Sequence, residues 1–276
     1  MYSDSDLNKV QNTELEILQE IDRICKILNI KYFAVGGTLL GAIRHKGFIP
    51  WDDDIDIGMM RKDYDAFISG CSELLDKNNY FVQNFYSNSH VPFYHTKLMK
   101  KGTVFVEKGV ERMKFEKSIF VDIMPYDYLP DLPIERKRVL KKQMFNYRLF
   151  GLKSQIRTFK YSKFKNFIFS VIRFVIWCFL LPINKNYLFK RYDNSLKNAS
   201  INPSHFIGSR GYNMFVCKYD DVYPLKYVLF EDLQIPIPNN YDSLLKTQYN
   251  NYMSLPPEDK INQHTPIALK FEDVKE

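Results

Sequence analysis

The sequence predicts an α+β fold, in which helices back a mixed sheet and a basic, mostly helical insertion follows. Residues 13–130 run helix, strand, helix, strand, helix and then several strands, an order typical of a small mixed sheet covered by helices. The segment 136–191 holds fifteen Lys or Arg and no Asp or Glu. We therefore divide the chain into a core at 1–135, a basic amphipathic helical segment at 136–196, and a C-terminal part at 197–276 that completes the core.

Helical periodicity and strand-like alternation place the elements of the core in order. Thr13 and Glu16 form a capping-box pattern at the start of the first helix, which an apolar stripe extends to Leu28. A buried strand then ends at Gly36-Gly37, and a helix opens directly after this turn. Besides that first helix, the predicted helices are 38–43, 63–75 and 242–249, and the predicted strands are 32–35, 80–85, 94–99, 103–106, 118–124 and 227–230. The prolines that mark the boundary before the basic segment are Pro125, Pro130 and Pro133.

Composition and charge exclude several classes of protein. With 45% hydrophobic and 16% aromatic residues, the 276-residue chain is not disordered and can bury a core. The N-terminal residues are polar and acidic, so we expect no signal peptide. The four cysteines lie far apart, without zinc or redox spacing, and are expected to be reduced thiols of a cytoplasmic protein.

The aspartates that follow the Gly-Gly turn indicate a divalent-cation site. Asp54 and Asp56 alternate with isoleucines, so on a strand both carboxylates lie on one face. Gly36 and Gly37, at a helix N-terminus, offer backbone N–H groups and the positive end of the helix dipole to a phosphate. Asp122, between two apolar residues of a later strand, is a third carboxylate for a two-metal site.

Two other acidic motifs fit the same stretch but not its context. Asp52-Asp53-x-x-Asp56 matches the aspartate-rich motif of prenyl-diphosphate synthases, which need an all-helical bundle and a second such motif. A calcium loop starting at Asp52 requires Gly at its sixth position and Glu at its twelfth, where this chain has Ile57 and Asp63. Asp52 and Asp53 are therefore assigned to the loop or to groups that support the cation ligands.

Four blocks of the sequence resemble the LicD family, which includes bacterial phosphocholine transferases and, more distantly, the fukutin-related proteins. The blocks are Gly36-Gly37-Thr38-Leu39-Leu40-Gly41-Ala42-Ile43-Arg44, Gly47-Phe48-Ile49-Pro50-Trp51-Asp52-Asp53-Asp54-Ile55-Asp56, Phe120-Val121-Asp122-Ile123-Met124-Pro125, and a C-terminal block that ends in Leu255-Pro256-Pro257. The resemblance implies a nucleotidyltransferase-like fold, and it is weakest in the basic segment.

The resemblance also implies a reaction. Phosphocholine would pass from CDP-choline to a sugar hydroxyl of a lipid-linked cell-surface glycan, of the teichoic acid or lipopolysaccharide type, with release of CMP. By this analogy Asp54 and Asp56 hold the donor diphosphate and Mg²⁺, expected as two ions for which Mn²⁺ can substitute. Asp122 binds the second ion or takes the proton of the acceptor hydroxyl. The residues that contact phosphate by the same analogy are Gly36, Gly37 and Thr38. Transfer from a CDP-activated ribitol or glycerol, and nucleotidyl transfer that releases pyrophosphate, stay open as alternatives.

Further basic and aromatic residues are candidates for substrate contacts. Arg44, beside His45 and Lys46, either neutralises the leaving CMP or belongs to a surface loop. Lys97 is either a phosphate ligand or an ordinary edge-strand lysine. A quaternary ammonium is best bound by aromatic rings near a carboxylate. The candidates for that role, whose alternative place is the core, are Trp51, Tyr126, Asp127 and Tyr128. His264 either reaches the site or closes the domain.

The basic segment contains an apolar stretch at 164–183 that can be interpreted in three ways. Arg173 at its centre and Pro182 near its end disfavour a transmembrane helix. A buried core helix and an interfacial helix stay open. We favour an interfacial helix within 153–191, whose basic residues meet anionic lipid at the inner face of the cytoplasmic membrane. Nucleic-acid binding is not expected, because the segment lacks the Gly-rich or aromatic-stacking signatures of such modules.

Overall fold

The computed structural model of the chain describes residues 3–154, 163–199, 203–210, 214–257 and 265–271, of which 163–170, 210 and 214 are described by their backbone alone. The helices are α1 (Asp4–Leu28), α2 (Gly36–Arg44), α3 (Arg61–Leu74), α4 (Pro133–Lys153), α5 (Lys163–Phe179), α6 (Lys185–Lys197), α7 (Tyr219–Val222) and α8 (Tyr241–Tyr249). The strands are β1 (Phe33–Ala34), β2 (Asp56–Met60), β3 (Tyr80–Gln83), β4 (Thr96–Lys100), β5 (Val104–Val106), β6 (Phe120–Leu129), β7 (Phe206–Arg210), β8 (Met214–Lys218), β9 (Lys226–Phe230), β10 (Leu233–Ile237) and β11 (Ala268–Lys270).

Seven of the described strands form one mixed sheet. Its order is β1-β2-β6-β4-β3, and β7 and β8 continue it from the second half of β6. β2 and β6 are parallel, whereas the other neighbours are antiparallel. The predicted mixed sheet backed by helices is therefore confirmed. Because β7 and β8 follow the basic segment in the chain, the C-terminal part extends the same sheet as the core. The domain division itself, at 135 and 196, stays a prediction.

The strand β6 runs through Pro125, where the sequence predicted a boundary. On one edge of β6 the N–H of Asp122 donates to the Ile55 carbonyl. Backbone nitrogens of successive residues face the two edges of a strand in turn, so the nitrogen of Pro125, three residues later, faces the other edge. On that other edge β6 pairs with β4 as far as Ile123 and with β7 from Tyr126 onward. Pro125 falls between these two partners. The missing N–H of the proline therefore costs no ladder hydrogen bond.

The helix α1 begins at Asp4 and not at Thr13. The side chain of Ser3 accepts a hydrogen bond from the Asp6 N–H and caps the helix, whereas the Thr13 hydroxyl donates to the Lys9 carbonyl inside it. The first turn after Ser3 is mostly polar, so it lacks the apolar periodicity by which a helix is recognised in a sequence. The capping-box pattern at Thr13 therefore placed the predicted helix start nine residues too far along the chain.

The face of the sheet that carries Ile55, Ile57 and Ile123 is buried in the main hydrophobic core. Tyr64 of α3 is hydrogen-bonded to Thr96, the register partner of Ile123, which places α3 on this face. α1 packs against α3 and completes the cover. Because side chains alternate along a strand, Asp56 and Asp122 point to the opposite face.

The basic segment folds as α4, α5 and α6. An aromatic cluster that includes Phe85, Phe150, Phe189 and Tyr192 anchors α4 and α6 to the sheet. α5 leaves a series of large apolar side chains in contact with solvent, among them Phe174 at 62% and Phe179 at 78% exposure. Within the described residues, no helix is long and apolar enough to cross a membrane.

Candidate functional site

Asp56 and Asp122 are direct neighbours on the parallel strands β2 and β6. The N–H of Asp122 donates to the Ile55 carbonyl at 2.9 Å, which fixes this register. Ile55 and Ile57 are buried, as the alternation predicted. Asp54 lies two residues before β2, so of the predicted pair Asp56 alone is part of the strand. The sheet thus brings two carboxylates together from distant parts of the sequence.

The N-terminus of α2 lies against these carboxylates. Gly36 and Gly37 form its first turn, where the sequence predicted a turn before the helix. A Cβ atom at Gly36 would lie 3.3 Å from Oδ2 of Asp56, and one at Gly37 would lie 2.6 Å from Oδ2 of Asp52. Gly36 also has a positive φ of 56°, which side chains rarely adopt. The two glycines therefore let backbone N–H groups of a helix end approach the acidic cluster closely.

Thr38 connects the helix to the strand. Its hydroxyl accepts a hydrogen bond from the Asp56 N–H at 2.8 Å, and the residue is buried. The threonine thereby holds the start of β2 against α2. The structure gives Thr38 this positioning contact; the phosphate contact that the resemblance implied stays a prediction.

The crowding of acids raises the pKa values on one side of the cluster. Burial, with the negative charges of Asp54, Asp122 and Asp52, raises the pKa of Asp56 well above its usual range. Burial, together with Asp54 and Asp53, raises the pKa of Asp52 to about 8. Negative charge of this density favours either protonation or a bound cation.

On the other side of the cluster, an imidazole and an ammonium group accompany Asp122. Its Oδ1 lies 3.2 Å from Nε2 of His95 and 3.5 Å from Nζ of Lys97, whose ammonium also donates to Glu107 at 3.1 Å. Burial opposes ionisation of Asp122, but the charges of His95 and Lys97 outweigh it and hold its pKa below the usual value. Lys97 is only 4% exposed, so it is a buried partner of the cluster and not an ordinary edge-strand lysine.

The donor set fits a hard divalent cation. Carboxylate oxygens are the ligands that Mg²⁺ prefers. Oδ1 of Asp122 is buried and ion-paired with His95 and Lys97, but it accepts no hydrogen bond of regular geometry from the residues that the structure describes. Among the described residues, no group of three or more His, Cys, Asp or Glu side chains is arranged so that it could hold a metal ion by itself. Mg²⁺ commonly takes only one or two carboxylates and completes its shell with water and substrate phosphates. The acidic cluster is compatible with such a site, in which water and substrate phosphates supply the remaining ligands.

Arg44 is engaged away from the acidic cluster. Its guanidinium donates to the carbonyls of Tyr252 at 2.9 Å and Ser254 at 3.3 Å, so it ties the end of α2 to the C-terminal block. Its Nε also donates to Nε2 of the adjacent His45. Lys46 is exposed. The contact of Arg44 with phosphate that the sequence suggested is replaced in this structure by contacts with backbone carbonyls.

The candidates for choline binding do not form one cage. Asp127 lies on the opposite face of the sheet from Asp122, where it accepts two hydrogen bonds from Arg61 at 2.7 and 2.8 Å. Tyr126 is buried against Phe33. The choline assignments of Asp127 and Tyr126 are therefore not supported, because a buried ion pair and core packing already occupy these side chains. The remaining candidates are Trp51, which is half-buried beside His45, and Tyr128, which stacks on Tyr219.

Two residues near the acidic cluster were not predicted from the sequence. His95 precedes the candidate Lys97 by two positions, so strand periodicity places both on one face. Glu14 interrupts the buried stripe of α1, next to Ile17 and Leu18, and its own burial could have drawn attention to it. His264 lies outside the described residues.

The mixed sheet thus carries an acidic cluster beside the glycine-led end of a helix. A family profile described as LicD/FKTN/FKRP, nucleotidyltransferase domain, matches residues 29–171. The chain belongs to this LicD family.

Individual relatives agree with that assignment. The lipopolysaccharide cholinephosphotransferase LicD of Haemophilus influenzae is 29% identical over 269 residues, which cover 94% of this chain and 95% of that protein. The ribitol 5-phosphate transferases FKRP of Homo sapiens and Mus musculus are each 37% identical over 51 residues, which are 18% of this chain and 10% of those proteins. The similarity to the first relative is thus of full length, and the similarity to the other two is local.

Proposed function

We propose that the protein is a Mg²⁺-dependent transferase that moves phosphocholine from CDP-choline to a sugar hydroxyl of a lipid-linked cell-surface glycan, with release of CMP. The observation that carries this proposal is the pairing of Asp56 with Asp122 beside the N-terminus of α2. The full-length similarity to a lipopolysaccharide cholinephosphotransferase supports phosphocholine as the transferred group.

In this proposal some residues of the site contribute charge, and others hold the charged groups in position. Asp54, Asp56 and Asp122 would hold the cation, which when bound neutralises the diphosphate and the charge that develops on the leaving CMP. Backbone N–H groups in the first turn of α2 bind a phosphate oxygen, with the helix dipole oriented to favour negative charge. Thr38 keeps Asp56 at this helix end through its hydrogen bond to the Asp56 backbone.

Asp122 acts as a charged ligand and not as a general base. A general base works best with a pKa near the operating pH. The neighbouring side chains of His95 and Lys97 instead hold the pKa of Asp122 below its usual value, so it is a poor proton acceptor. In this proposal Lys97 is a positioning residue, whose ammonium orients Asp122 and joins it to Glu107.

Product analysis tests the proposal against its alternatives. The purified protein is incubated with Mg²⁺, a glycan acceptor and CDP-choline, CDP-ribitol or CDP-glycerol in turn, while CMP and pyrophosphate are both measured. We expect CMP release that depends on CDP-choline and acceptor together. Preference for CDP-ribitol would move this chain towards the activity named for its FKRP relatives. Pyrophosphate from a nucleoside triphosphate, without CMP, would overturn the transferase proposal in favour of nucleotidyl transfer.

The exposed apolar side of α5 supports peripheral contact with the cytoplasmic membrane. Phe174 and Phe179 lie in solvent within a segment that carries fifteen basic residues and no acidic one between 136 and 191. An apolar face flanked by cations matches the boundary of an anionic bilayer, because the rings enter the acyl region while lysines and arginines meet the headgroups. The lipid-linked acceptor would be reached from this surface.

Flotation with vesicles tests the membrane contact. We expect the protein to float with phosphatidylglycerol vesicles at low salt, and a Phe174→Ser, Phe179→Ser double variant to remain in the bottom fraction. Ile27→Ser removes an exposed apolar side chain of α1 and serves as the control that should float like the parent. A parent protein that stays in the bottom fraction with anionic vesicles would overturn this part of the proposal.

A further inference from the structure

A cavity of about 230 Å³, which we call the α3–α6 pocket, lies between α3, α6 and the connection from β3 to β4. Its α6 wall lies beyond the residues 29–171 that the family profile matches. Arg61 lines the pocket and binds Asp127, which points to the face of β6 opposite to Asp122. At a rise of about 3.3 Å per residue, Asp127 is roughly 16 Å from Asp122 along the strand. The pocket is therefore separate from the acidic cluster, and the proposed chemistry does not use it.

Aromatic rings form much of the wall of the α3–α6 pocket. The aromatic residues that line it are Tyr64, Tyr86, Tyr94 and Phe189. Phe189 is fixed from behind, because its ring stacks on Phe85 at 3.9 Å. Tyr86 is 62% exposed and therefore stands at the rim. Rings held in this way offer apolar surface to the C–H groups of a small ligand.

The polar groups of the pocket include both donors and acceptors. The Lys197 ammonium lies 3.1 Å from Asp193, a buried carboxylate that also accepts a hydrogen bond from the Tyr94 hydroxyl at 3.1 Å. Asp65 is half-exposed, and its Oδ1 lies 3.7 Å from Nη1 of Arg61. This distance is too long for a hydrogen bond, so both groups keep capacity to bind hydroxyls of a ligand.

The charges around the pocket disfavour an anion. Arg61 is neutralised by its buried partner Asp127, and Lys197 is neutralised by Asp193. Asp65 then leaves the wall with an excess of negative charge, which repels an anionic ligand. Pockets for drug-sized ligands have volumes of about 300–1,000 Å³, so a cavity slightly below this range suits one sugar ring or a molecule of similar size.

A quaternary ammonium ligand is disfavoured for a different reason. Such a cation needs ring faces that no other cation occupies. The Arg61 guanidinium already lies 5.2 Å from the ring centre of Tyr64 and 5.8 Å from that of Tyr94. The Lys197 ammonium lies 5.9 Å from the ring centre of Tyr86. A third positive charge would meet two like charges at these rings, so a neutral polar ligand fits the pocket better.

We propose that the α3–α6 pocket binds one sugar residue of a glycan, at a site separate from that of phosphocholine transfer. A sugar ring has an apolar C–H face, which matches the aromatic wall, and hydroxyls that both donate and accept, which match the polar groups. The assignment of this sugar to the lipid-linked acceptor rests on the proposed function, whereas the preference of the pocket for a sugar does not. In that role the pocket holds one residue of the glycan while another residue lies at the acidic cluster.

Saturation-transfer NMR tests the pocket without turnover. The full chain is mixed in turn with the methyl glycosides of glucose, galactose and their N-acetylamino forms, and with choline chloride and inorganic phosphate as charged probes. We expect at least one glycoside to bind, and Ser69→Trp to lose this binding, because Ser69 lines the cavity and an indole there would fill it. Ser72→Trp is the matched control, since Ser72 is exposed on the same helix outside the pocket lining and the variant should bind like the parent.

A second variant keeps the test valid if Ser69→Trp misfolds. Tyr86→Ala removes a ring at the exposed rim, so the core should stay packed and the melting temperature should change little. Glycoside binding should weaken about 2- to 10-fold, because one stacking surface is lost. Failure of every glycoside to bind, or parental binding in both Ser69→Trp and Tyr86→Ala, would overturn the proposal. Binding of choline or phosphate that Ser69→Trp abolishes would overturn it in favour of a charged ligand.

Kinetics distinguish failure of this inference from failure of the proposed function. With an acceptor of several sugar residues, Ser69→Trp should raise the KM for the acceptor and leave the KM for CDP-choline at the parental value. If no acceptor is modified while glycosides bind in the pocket, the proposed function fails and the sugar site remains. If transfer occurs with the same acceptor KM in parent and variant and no glycoside binds, only the present inference fails.

Discussion

Asp56 and Asp122 face each other in register across the parallel strands β2 and β6, and Lys97 is the register partner of Asp122 on the antiparallel strand β4. Three neighbouring strands therefore place acid, acid and base in one row across the sheet. The row ends at the glycine-led turn of α2, where a Cβ atom at Gly36 would lie 3.3 Å from Asp56. This arrangement places an acidic cluster next to the N-terminus of a helix, and single substitutions can separate the residues of the proposed site from residues that only support the fold.

Asp56→Asn should abolish transfer while the fold persists. The substitution keeps the shape of the side chain and removes the charge that would hold the cation, so we expect a loss in kcat/KM of about 100-fold or more. The melting temperature of the metal-free variant should not fall, because the change relieves repulsion with Asp54 and Asp122. Asp232→Asn, in the exposed turn between β9 and β10, is the control and should keep parental kinetics. Near-normal turnover of Asp56→Asn would show that the site has been assigned wrongly.

Asp127→Asn should affect stability and not recognition of the donor. It leaves the Arg61 guanidinium without its buried carboxylate partner, and breaking such a pair costs about 3 kcal/mol or more in the free energy of unfolding. Chemical denaturation measures this loss, and the KM for CDP-choline should remain at the parental value. Asp65→Asn is the control, since Asp65 is 3.7 Å from Arg61 and half-exposed, and it should cost less than about 1 kcal/mol. A raised KM for CDP-choline with unchanged stability would instead support a contact of Asp127 with choline.

Arg44→Met should release the C-terminal block. The guanidinium holds the carbonyls of Tyr252 and Ser254, and hydrogen bonds from a charged donor contribute about 1.5–3 kcal/mol. We expect a lower melting temperature and faster proteolysis around residues 250–257, with only a small change in the KM for the donor. Lys46→Met changes an exposed neighbouring cation and should alter neither property. Intact stability with a strongly raised KM would instead support the phosphate contact that the sequence suggested.

Asp52 should make the stability of the metal-free protein fall as the pH rises. Burial, followed by Asp54 and Asp53, raises its pKa from the usual 3.8 to about 8 in the folded state. Between these values the folded chain binds more protons than the unfolded chain, so the free energy of unfolding decreases with increasing pH. Melting temperatures measured in EDTA from pH 5 to about pH 8 should show this decline, and Asp52→Asn should flatten it. The same profile in the parent and in Asp52→Asn would contradict the assignment.

The sequence by itself determined where the acids and glycines of the candidate site lie on the strands and the helix, because the decisive patterns are local. Gly36 and Gly37 stand at the start of a helix, and Asp56 stands in an alternating stretch whose isoleucines are buried as expected. Such short-range patterns depend only on helix and strand periodicity, which the chain carries in its own order. Asp122 was found for the same reason, as a single acid within an apolar strand.

Only the tertiary structure decided which partner each remaining polar side chain has. Asp127 faces away from Asp122 since side chains alternate along β6, and Arg61 of α3 meets it there. Arg44 reaches carbonyls of the C-terminal block, and Gln11 of α1 reaches the Asp52 carbonyl, through packing between segments far apart in the chain. Contacts of this kind follow from how helices and strands are stacked, and the free energy of burying charge then selects the partners. The sequence therefore specified the acids and the glycines, and the fold specified which charges surround them.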